Sequence, residues 1–348
     1  MSNATIIELP YTPDSCTYFE QIRGEERPIF LDSCQPYSTK GRYDILSADP
    51  VAFLSTRYNT TTITRRQQTI TSQEDPFSLL KAELAHYPER PSALPFNGGA
   101  LGYFAYDLNK RIEKLPPSPG AARLLPDMAV GIYLWAIITD HALQKTYLLE
   151  PPAALASSGW PAIKKRLLTL PPCPTPDPFL FTQAFSRNMT AELYAEKFAQ
   201  IQQHLQQGDC YQINFAQRWQ AEISGDPWDL YRYLRQHNPA PFAAFIALEE
   251  GAILSCSPEQ FLKLNTDKSI RTHPIKGTRA RNSDLNQDKA AAANLLASAK
   301  DRAENTMIVD LMRNDLGKSC EIGSVQVPQL CFLQSFAAVH HLVSTISG

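Results

Sequence analysis

Residues 269–277 read SIRTHPIKG, and residues 251–264 before them read GAILSCSPEQFLKL. Apolar and β-branched residues recur in both stretches: the second predicts one or two strands broken at Ser257-Pro258, and the first predicts a strand ending at Lys276. From about Leu285 the composition turns to alanine, leucine, lysine and glutamate, and Gly317 ends the run, which predicts helix. Runs of strands followed by separate helices, without a repeating strand-helix-strand pattern, indicate an α+β fold rather than a doubly wound sheet.

The same reading extends upstream. Thr190 is placed to cap a helix with Glu192 in its first turn, Tyr194, Phe198, Ile201 and Leu205 as an apolar stripe, and Gly208 as its stop. The next stretch, CYQINFAQRWQAEI (210–223), alternates: Tyr211, Ile213, Phe215, Trp219 and Ile223 share one face, predicting a strand with one buried side. Earlier still, MAVGIYLWAIITDH (128–141) and KTYLLE (145–150) read as paired strands around the HALQ turn, and NGGALGYFAYDL (97–108) as a further strand region. The stretch 150–178, EPPAALASSGWPAIKKRLLTLPPCPTPDP, is proline-rich at both ends and reads as a linker. It divides an N-terminal region, 1–150, from a C-terminal region, 181–348, with the linker at 151–180.

With 348 residues, 43% hydrophobic and 20% charged, the chain has the make-up of a globular protein of about two domains. A formal net charge of −2 offers no basic field for nucleic acid. The first residues, MSNATIIELPYTPDSCTYFE, lack a basic segment followed by an apolar one, and no apolar run is long enough to span a bilayer, so a cytoplasmic location is expected. The seven cysteines are scattered, never in CxxC spacing, and suggest neither zinc nor a disulfide framework. HExxH, P-loop, GxSxG and GxGxxG patterns in their required settings are absent, which argues against zinc proteolysis, nucleotide cradling and serine hydrolysis.

Four features carry chemical interest. Lys276 stands between Ile275 and Gly277, after Pro274, in a frame able to hold a side chain in place. Glu304 lies three, four and seven residues before Met307, Ile308 and Leu311, which puts a carboxylate on an apolar stripe together with Asp315. Such a charge is either paired, with Arg279, Arg281 or Arg313 as partners, or bound to a metal such as magnesium. Glu259, just after Ser257-Pro258, is able to serve as a proton donor. On a strand His340 and His341 point opposite ways, so only one of them faces a given site.

The order of these elements is specific. SPEQF (257–261), PIKGT (274–278), KDRAENTMIVDLMRNDLG (300–317) and AAVHHLVST (337–345) together resemble the chorismate-utilising enzyme family, with support from GGALGYFAYDL, LPDMAVGIYLWAIITDH, NMTAELYAEKF and QGDCYQINFAQRW. The resemblance implies an α+β fold: a large, mainly antiparallel β-sandwich with flanking helices, like that of anthranilate synthase component I. It also implies chorismate as substrate and Mg²⁺ as cofactor. Relatives that make anthranilate typically carry alanine at the lysine position, whereas lysine there marks the aminodeoxychorismate synthase branch.

By that resemblance Lys276 is a nucleophile toward C2 of the chorismate ring, favoured when burial against Ile275 keeps its amine uncharged. Glu259 is the general acid for the departing C4 hydroxyl, Glu304 the magnesium ligand, and Gly277, Thr278 and His341 contact the substrate. A separate glutaminase subunit would supply ammonia. LDS (31–33) resembles the LLES element of a tryptophan pocket, with Ser33 and Pro241 as walls and Asp32 where the motif has glutamate. The residues end at STISG, whereas relatives continue through a GxxxGAPK loop, a second magnesium carboxylate and groups that grip the substrate's carboxylates; weak turnover by these residues alone is therefore expected. Three other readings compete: anthranilate synthase component I, a noncatalytic remnant that binds an amino acid or docks a glutaminase, and a pyridoxal phosphate lysine.

Overall fold

In a computed structural model, residues 4–38, 40–66, 68–87, 90–115 and 124–348 are described. The chain forms two compact units, Met1–Pro174 with Tyr233–Gly348, and Thr175–Arg232. The larger unit holds three antiparallel sheets. A seven-stranded sheet runs in the order Ile6–Leu9, Lys145–Leu149, Ala136–Asp140, Tyr43–Ser47, Ile29–Asp32, Phe242–Leu248 and Gly251–Ser257. Its last two strands lie far along the chain, and Ile246 through Ala243 pair with Ile29 through Asp32. Sequence from both sides of the proline-rich stretch 150–178 thus builds one sheet.

The apolar run 128–141 divides between sheets. Met128–Tyr133 joins a five-stranded sheet beside Ala52–Arg57 and Gly99–Phe104. Ala136–Asp140 instead pairs with Lys145–Leu149 as the expected hairpin. Leu134 and Trp135, between them, are buried. A buried strand of continuous apolar residues fits either sheet, so the run itself does not mark the switch.

At the inner edge of this frame lies a buried ion pair. Arg235 is 1% exposed, and its Nε and Nη2 donate to Asp32 Oδ2 and Oδ1 at 2.7 and 3.1 Å. Its remaining donors reach Asp14 Oδ1 at 2.9 Å and the Gln35 carbonyl at 2.8 Å. Burial pushes the Asp32 carboxyl above its ordinary range, and the Arg235 charge works against that push. Removing one member of such a pair strands a charge in low dielectric and costs about 3–5 kcal/mol.

The third sheet carries the residues of chemical interest. Val339–Ser347 is its central strand, with Gln326–Ser335 on one side and Ile270–Thr272 and Ile275–Ala280 on the other. Two helices, Leu285–Ala297 and Ala299–Gly317, pack on it where one long helical run was expected. They meet at Ser298, whose hydroxyl accepts from the Asp301 amide and so starts the second helix. The inward stripe of that second helix also differs from expectation. Asn305, Val309 and Leu316 are buried, while Met307 and Leu311 are 36% and 50% exposed. The buried amide of Asn305 decides this: its Nδ2 donates to the Leu342 carbonyl at 3.1 Å, and its Oδ1 accepts from Ser344 Oγ at 2.5 Å. Fixing that residue inward rotates Met307 toward the rim. Asp315 is exposed beside Lys318.

In the smaller unit, helix Ala191–Gln207 has the expected ends, with Thr190 accepting from the Leu193 amide and Gly208 left-handed at φ 80°. Its apolar stripe is not packed away: Tyr194 and Phe198 stay partly exposed, and Tyr194 stacks on Phe215 at 4.9 Å. Nor does 210–223 form the expected half-buried strand. Tyr211 is 90% exposed, and only Trp219–Gln220 and Ile223–Ser224 find partners, Ser186–Arg187 and Leu180–Phe181. Alternation makes a buried face only where a neighbouring strand extends the ladder, and among the described residues none flanks 211–218.

Replacing Arg235 by alanine should lower unfolding free energy by about 3–5 kcal/mol in urea titrations, and Arg235→Met with Asp32→Leu should lose much less than the sum of the single changes. Additive losses would show that the two charges do not depend on each other.

Candidate active site

The lysine frame is a β-bulge. Ile275 pairs with Val343 and Thr278 with His341, so two residues, Lys276 and Gly277, stand opposite Leu342 alone. Regular alternation back from Thr278 would set residue 276 on the face of Thr278 and His341; the extra residue takes it out of that alternation and re-aims it. Gly277 provides the geometry with φ 82°, a left-handed conformation costly for other residues. Lys276 therefore lies near the start of a strand, not at the end of one as expected. It is half-buried, and its Nζ donates to the Ile275 carbonyl at 3.1 Å.

Ile275 also joins the lysine to Glu259. Its amide donates to Glu259 Oε1 at 2.9 Å, so the N–H and C=O of one residue each hold one of the two side chains. Strand Gly251–Ser257 ends just before Pro258 as expected, and Glu259 follows in an exposed turn in which the Ser257 hydroxyl accepts from its amide at 3.3 Å. Thr272 Oγ1 donates to the Phe261 carbonyl at 2.6 Å, tying this turn to the next strand.

The two histidines separate as alternation requires. Thr278 Oγ1 lies 2.9 Å from His341 Nδ1, and the edge of Phe336 meets the His341 ring at 5.3 Å. Burial pushes the His341 imidazole below the ordinary histidine value. A backbone hydrogen bond with Gly277 and the charge of Glu259 oppose the push, and the charge of Lys40 adds to it. Lys40 sits 4.3 Å over the Phe336 ring, a cation contributed from the far N-terminal half. His340 points the other way and is structural: its Nε2 lies 3.0 Å from Asp288 Oδ1 and its Nδ1 2.7 Å from Ser335 Oγ. Asp288 is held well below the usual carboxylate range, chiefly by hydrogen bonds from Arg281 and the Asn282 amide.

On the helix side, a Cβ at Gly277 would lie 2.9 Å from Asp301 Cβ and 3.0 Å from Leu295 Cδ1. Asp301 receives Arg279 Nη2 at 2.9 Å. Glu304 follows one helical turn after Asp301 and is half-buried. The three arginines considered as its partners bind other carboxylates: Arg279 to Asp301, Arg281 to Asp288 and Arg313 to Asp310. Among the described residues no group of three or more His, Cys, Asp or Glu side chains converges for a metal. A half-buried carboxylate fits magnesium, which commonly takes one or two protein oxygens and completes its shell with water and substrate.

Ser33 and Pro241 meet elsewhere in the larger unit. Ser33 is buried, its amide and hydroxyl both donating to Asp44 Oδ1 at 2.8 and 2.7 Å. A Cβ at Gly41 would lie 2.6 Å from Ser33 Cβ and 3.5 Å from the Pro241 carbonyl. Pro241 and Gly41 line a cavity of about 460 Å³ whose opposite wall includes Pro258, His273 and Ile275. Asp32, in the glutamate position of the motif, is turned to Arg235.

Sequence reasoning missed Asp301 and Lys40, and it offered Arg279 to Glu304 where the structure pairs it with Asp301. The first had a local signal, since Ser298 with an acid three residues on is a helix-capping pattern. Lys40 had none, because only tertiary folding brings it to His341. All seven cysteines are free, and among the described residues no helix is long and apolar enough to cross a membrane.

Comparison with known proteins gives the family and the fold. The profile of the chorismate binding enzyme family matches residues 26–348. Aminodeoxychorismate synthase component 1 of Salmonella typhimurium is 45% identical over 99% of this chain and 75% of its own length. The protein of the same name from Escherichia coli strain K12 is 46% identical, again over 99% and 75%. The crystal structure of anthranilate synthase component I from Streptococcus pneumoniae superposes with a TM-score of 0.73 at 28% identity, covering 89% of this chain and 69% of that one. The large antiparallel sheets with packed helices are the architecture expected from the sequence. The chain belongs to the family of chorismate binding enzymes.

Proposed function

We propose that this chain is the component that aminates chorismate at C4 to give 4-amino-4-deoxychorismate, the step toward 4-aminobenzoate. The observation that carries the reading is a lysine set by a bulge, with Glu259 held on the backbone of the same residue, Ile275, that its amine binds. Anthranilate formation is the weaker reading, because relatives of that activity typically have alanine in place of Lys276.

In the proposed sequence the free amine of Lys276 forms a bond to C2 of the ring. The double bonds shift, and the C4 hydroxyl leaves with a proton from Glu259 as water. Ammonia then adds at C4, the double bonds return, and the Lys276 amine is expelled and regains its electron pair. The Ile275 amide holds the Glu259 carboxylate on the lysine's side of the turn, and exposure lets the acid be reprotonated from solvent between cycles. His341, uncharged near neutral pH, is oriented by Thr278 and accepts or donates one hydrogen bond to the substrate. Magnesium held by Glu304 would neutralise charge on the substrate's carboxylates.

Ammonia is assigned to a glutaminase subunit, in line with a component numbered 1 among the relatives. The 460 Å³ cavity walled by Pro241, close to Ser33, is assigned to an amino acid such as tryptophan. In functional terms 1–150 brings Lys40 and Gly41, beside Ser33, to that pocket, 181–348 binds chorismate, and 151–180 joins them, in a cytoplasmic enzyme.

Lys276→Ala should abolish amination with ammonium supplied, and intact-mass measurement of the unsubstituted chain with chorismate but no ammonia should show a covalent adduct equal to chorismate less water. Undiminished amination by the alanine variant would overturn the lysine mechanism. A second expectation concerns pH. Because the His341 value is depressed in the folded chain, the unfolded chain binds more protons between that value and about 6.5. Stability should therefore rise with pH through that window and be flat above it. His341→Gln should flatten the slope measured by urea unfolding from pH 5 to 7, and an unchanged slope would remove His341 as its cause.

A further inference from the structure

A bulge with a left-handed glycine is not fixed by its own ladder, since the extra residue leaves the pairing with the central strand locally open. Here the closure comes from the other side. The space a side chain at Gly277 would occupy is taken by Asp301 Cβ and Leu295 Cδ1, at 2.9 and 3.0 Å from the added atom. Two residues on, Arg279 fastens the strand to both helices: Nη2 donates to Asp301 Oδ2 at 2.9 Å and Nε to Asn294 Oδ1 at 3.0 Å. Its Nη1 turns back to the Thr278 carbonyl at 2.9 Å. Asp301 is itself fixed, its amide donating to the Ser298 hydroxyl at the start of its helix.

We infer that Asp301 is a positioning residue for the lysine: by packing on Gly277 and holding Arg279 it keeps the bulge closed and so sets the direction of Lys276. This rests on the reading of Lys276 as the nucleophile. Asp301 lies one turn before Glu304 on the same helix, so the contact that aims the amine also sets the distance between the lysine strand and the carboxylate proposed to hold magnesium. The Asp301 carboxyl is held below its ordinary range, first by the Ser298 hydrogen bond and then by Arg279, consistent with a carboxylate that stays charged. An ion pair of this partly exposed kind adds little to stability. Its substitution should therefore be felt in the lysine more than in the fold, and a small misplacement of a reacting group costs up to about a hundredfold in rate.

The test uses the full chain with Asp301→Asn, Arg279→Met and, as control, Asp310→Asn, which breaks the exposed pair with Arg313 on the same helix. Three quantities are read: the rate of Lys276 modification by trinitrobenzenesulfonate, followed by peptide mass spectrometry; the rate of adduct formation with chorismate; and kcat and KM with ammonium. Asp301→Asn and Arg279→Met should each change the Lys276 modification rate at least threefold and lower adduct formation and kcat about tenfold or more, with KM within about threefold and a near-normal urea midpoint. The control should match the unsubstituted chain. Unchanged lysine modification in both variants would overturn the inference. If the unsubstituted chain forms no adduct, the nucleophile reading fails instead, and the modification rates still decide whether Asp301 governs Lys276. Arg279→Met leaves the helix cap intact, so it answers the question if Asp301→Asn fails to fold.

Discussion

One extra residue in the strand Ile275–Ala280 is the constraint around which the site is arranged. Were the same residues paired regularly back from Thr278, Ile275 would stand opposite Ser344. With the extra residue, Ile275 stands opposite Val343 while Thr278 keeps His341 as its neighbour. The bulge needs a residue that tolerates φ 82°, and it needs that residue to have no side chain, because the helices already occupy the space. Gly277 satisfies both demands, so the backbone conformation and the helix packing depend on the same atom being absent.

That dependence explains what could be read from the sequence. The strand boundary at Pro258, the cap at Thr190 and the stop at Gly208 are local chemistry, and they stand in the structure as they do in the residues, whereas 269–277, which reads as one strand, is divided into Ile270–Thr272 and Ile275–Ala280. Alternation correctly separated His340 from His341, since any strand sends neighbours to opposite faces. Register was not legible: nothing in PIKGT states that one residue is unpaired, because that depends on the strand Val339–Ser347 more than sixty residues later. The inward face of helix Ala299–Gly317 was misjudged for a similar reason. Hydrophobicity favoured Met307 and Leu311, but a buried asparagine tied to Leu342 and Ser344 outweighed them. An amide with both ends satisfied in the interior fixes a helix's rotation more firmly than two apolar residues that lose little at the rim.

The alternation in 210–223 failed on different grounds. A period of two describes a surface able to pair, and burial follows only when another strand arrives. In the smaller unit the ladders are two residues long, so Tyr211 and Ile213 keep much of their surface in contact with solvent. Sequence pattern proposed a face and could not specify whether a neighbour covers it.

The distant N-terminal half matters to the site through backbone continuity. Ile29–Asp32 pairs with Phe242–Leu248, which pairs with Gly251–Ser257, and the turn that follows carries Glu259. The first of these strands is anchored by Asp32 to Arg235, on the helix immediately before Phe242–Leu248. Arg235 therefore closes a loop: it fixes the strand on which its own downstream strand is laid. Any shift of one register step along Ile29–Asp32 would invert every side chain of the adjoining strand. A buried charge pair is an expensive means of gaining stability, but it tolerates such a slip far less than an apolar contact would, because an offset guanidinium loses its carboxylate entirely. The position of the proposed acid thus depends on an ion pair two strands away in the sheet, and the position of the amine on the helices, with Ile275 as the residue where the two frames meet.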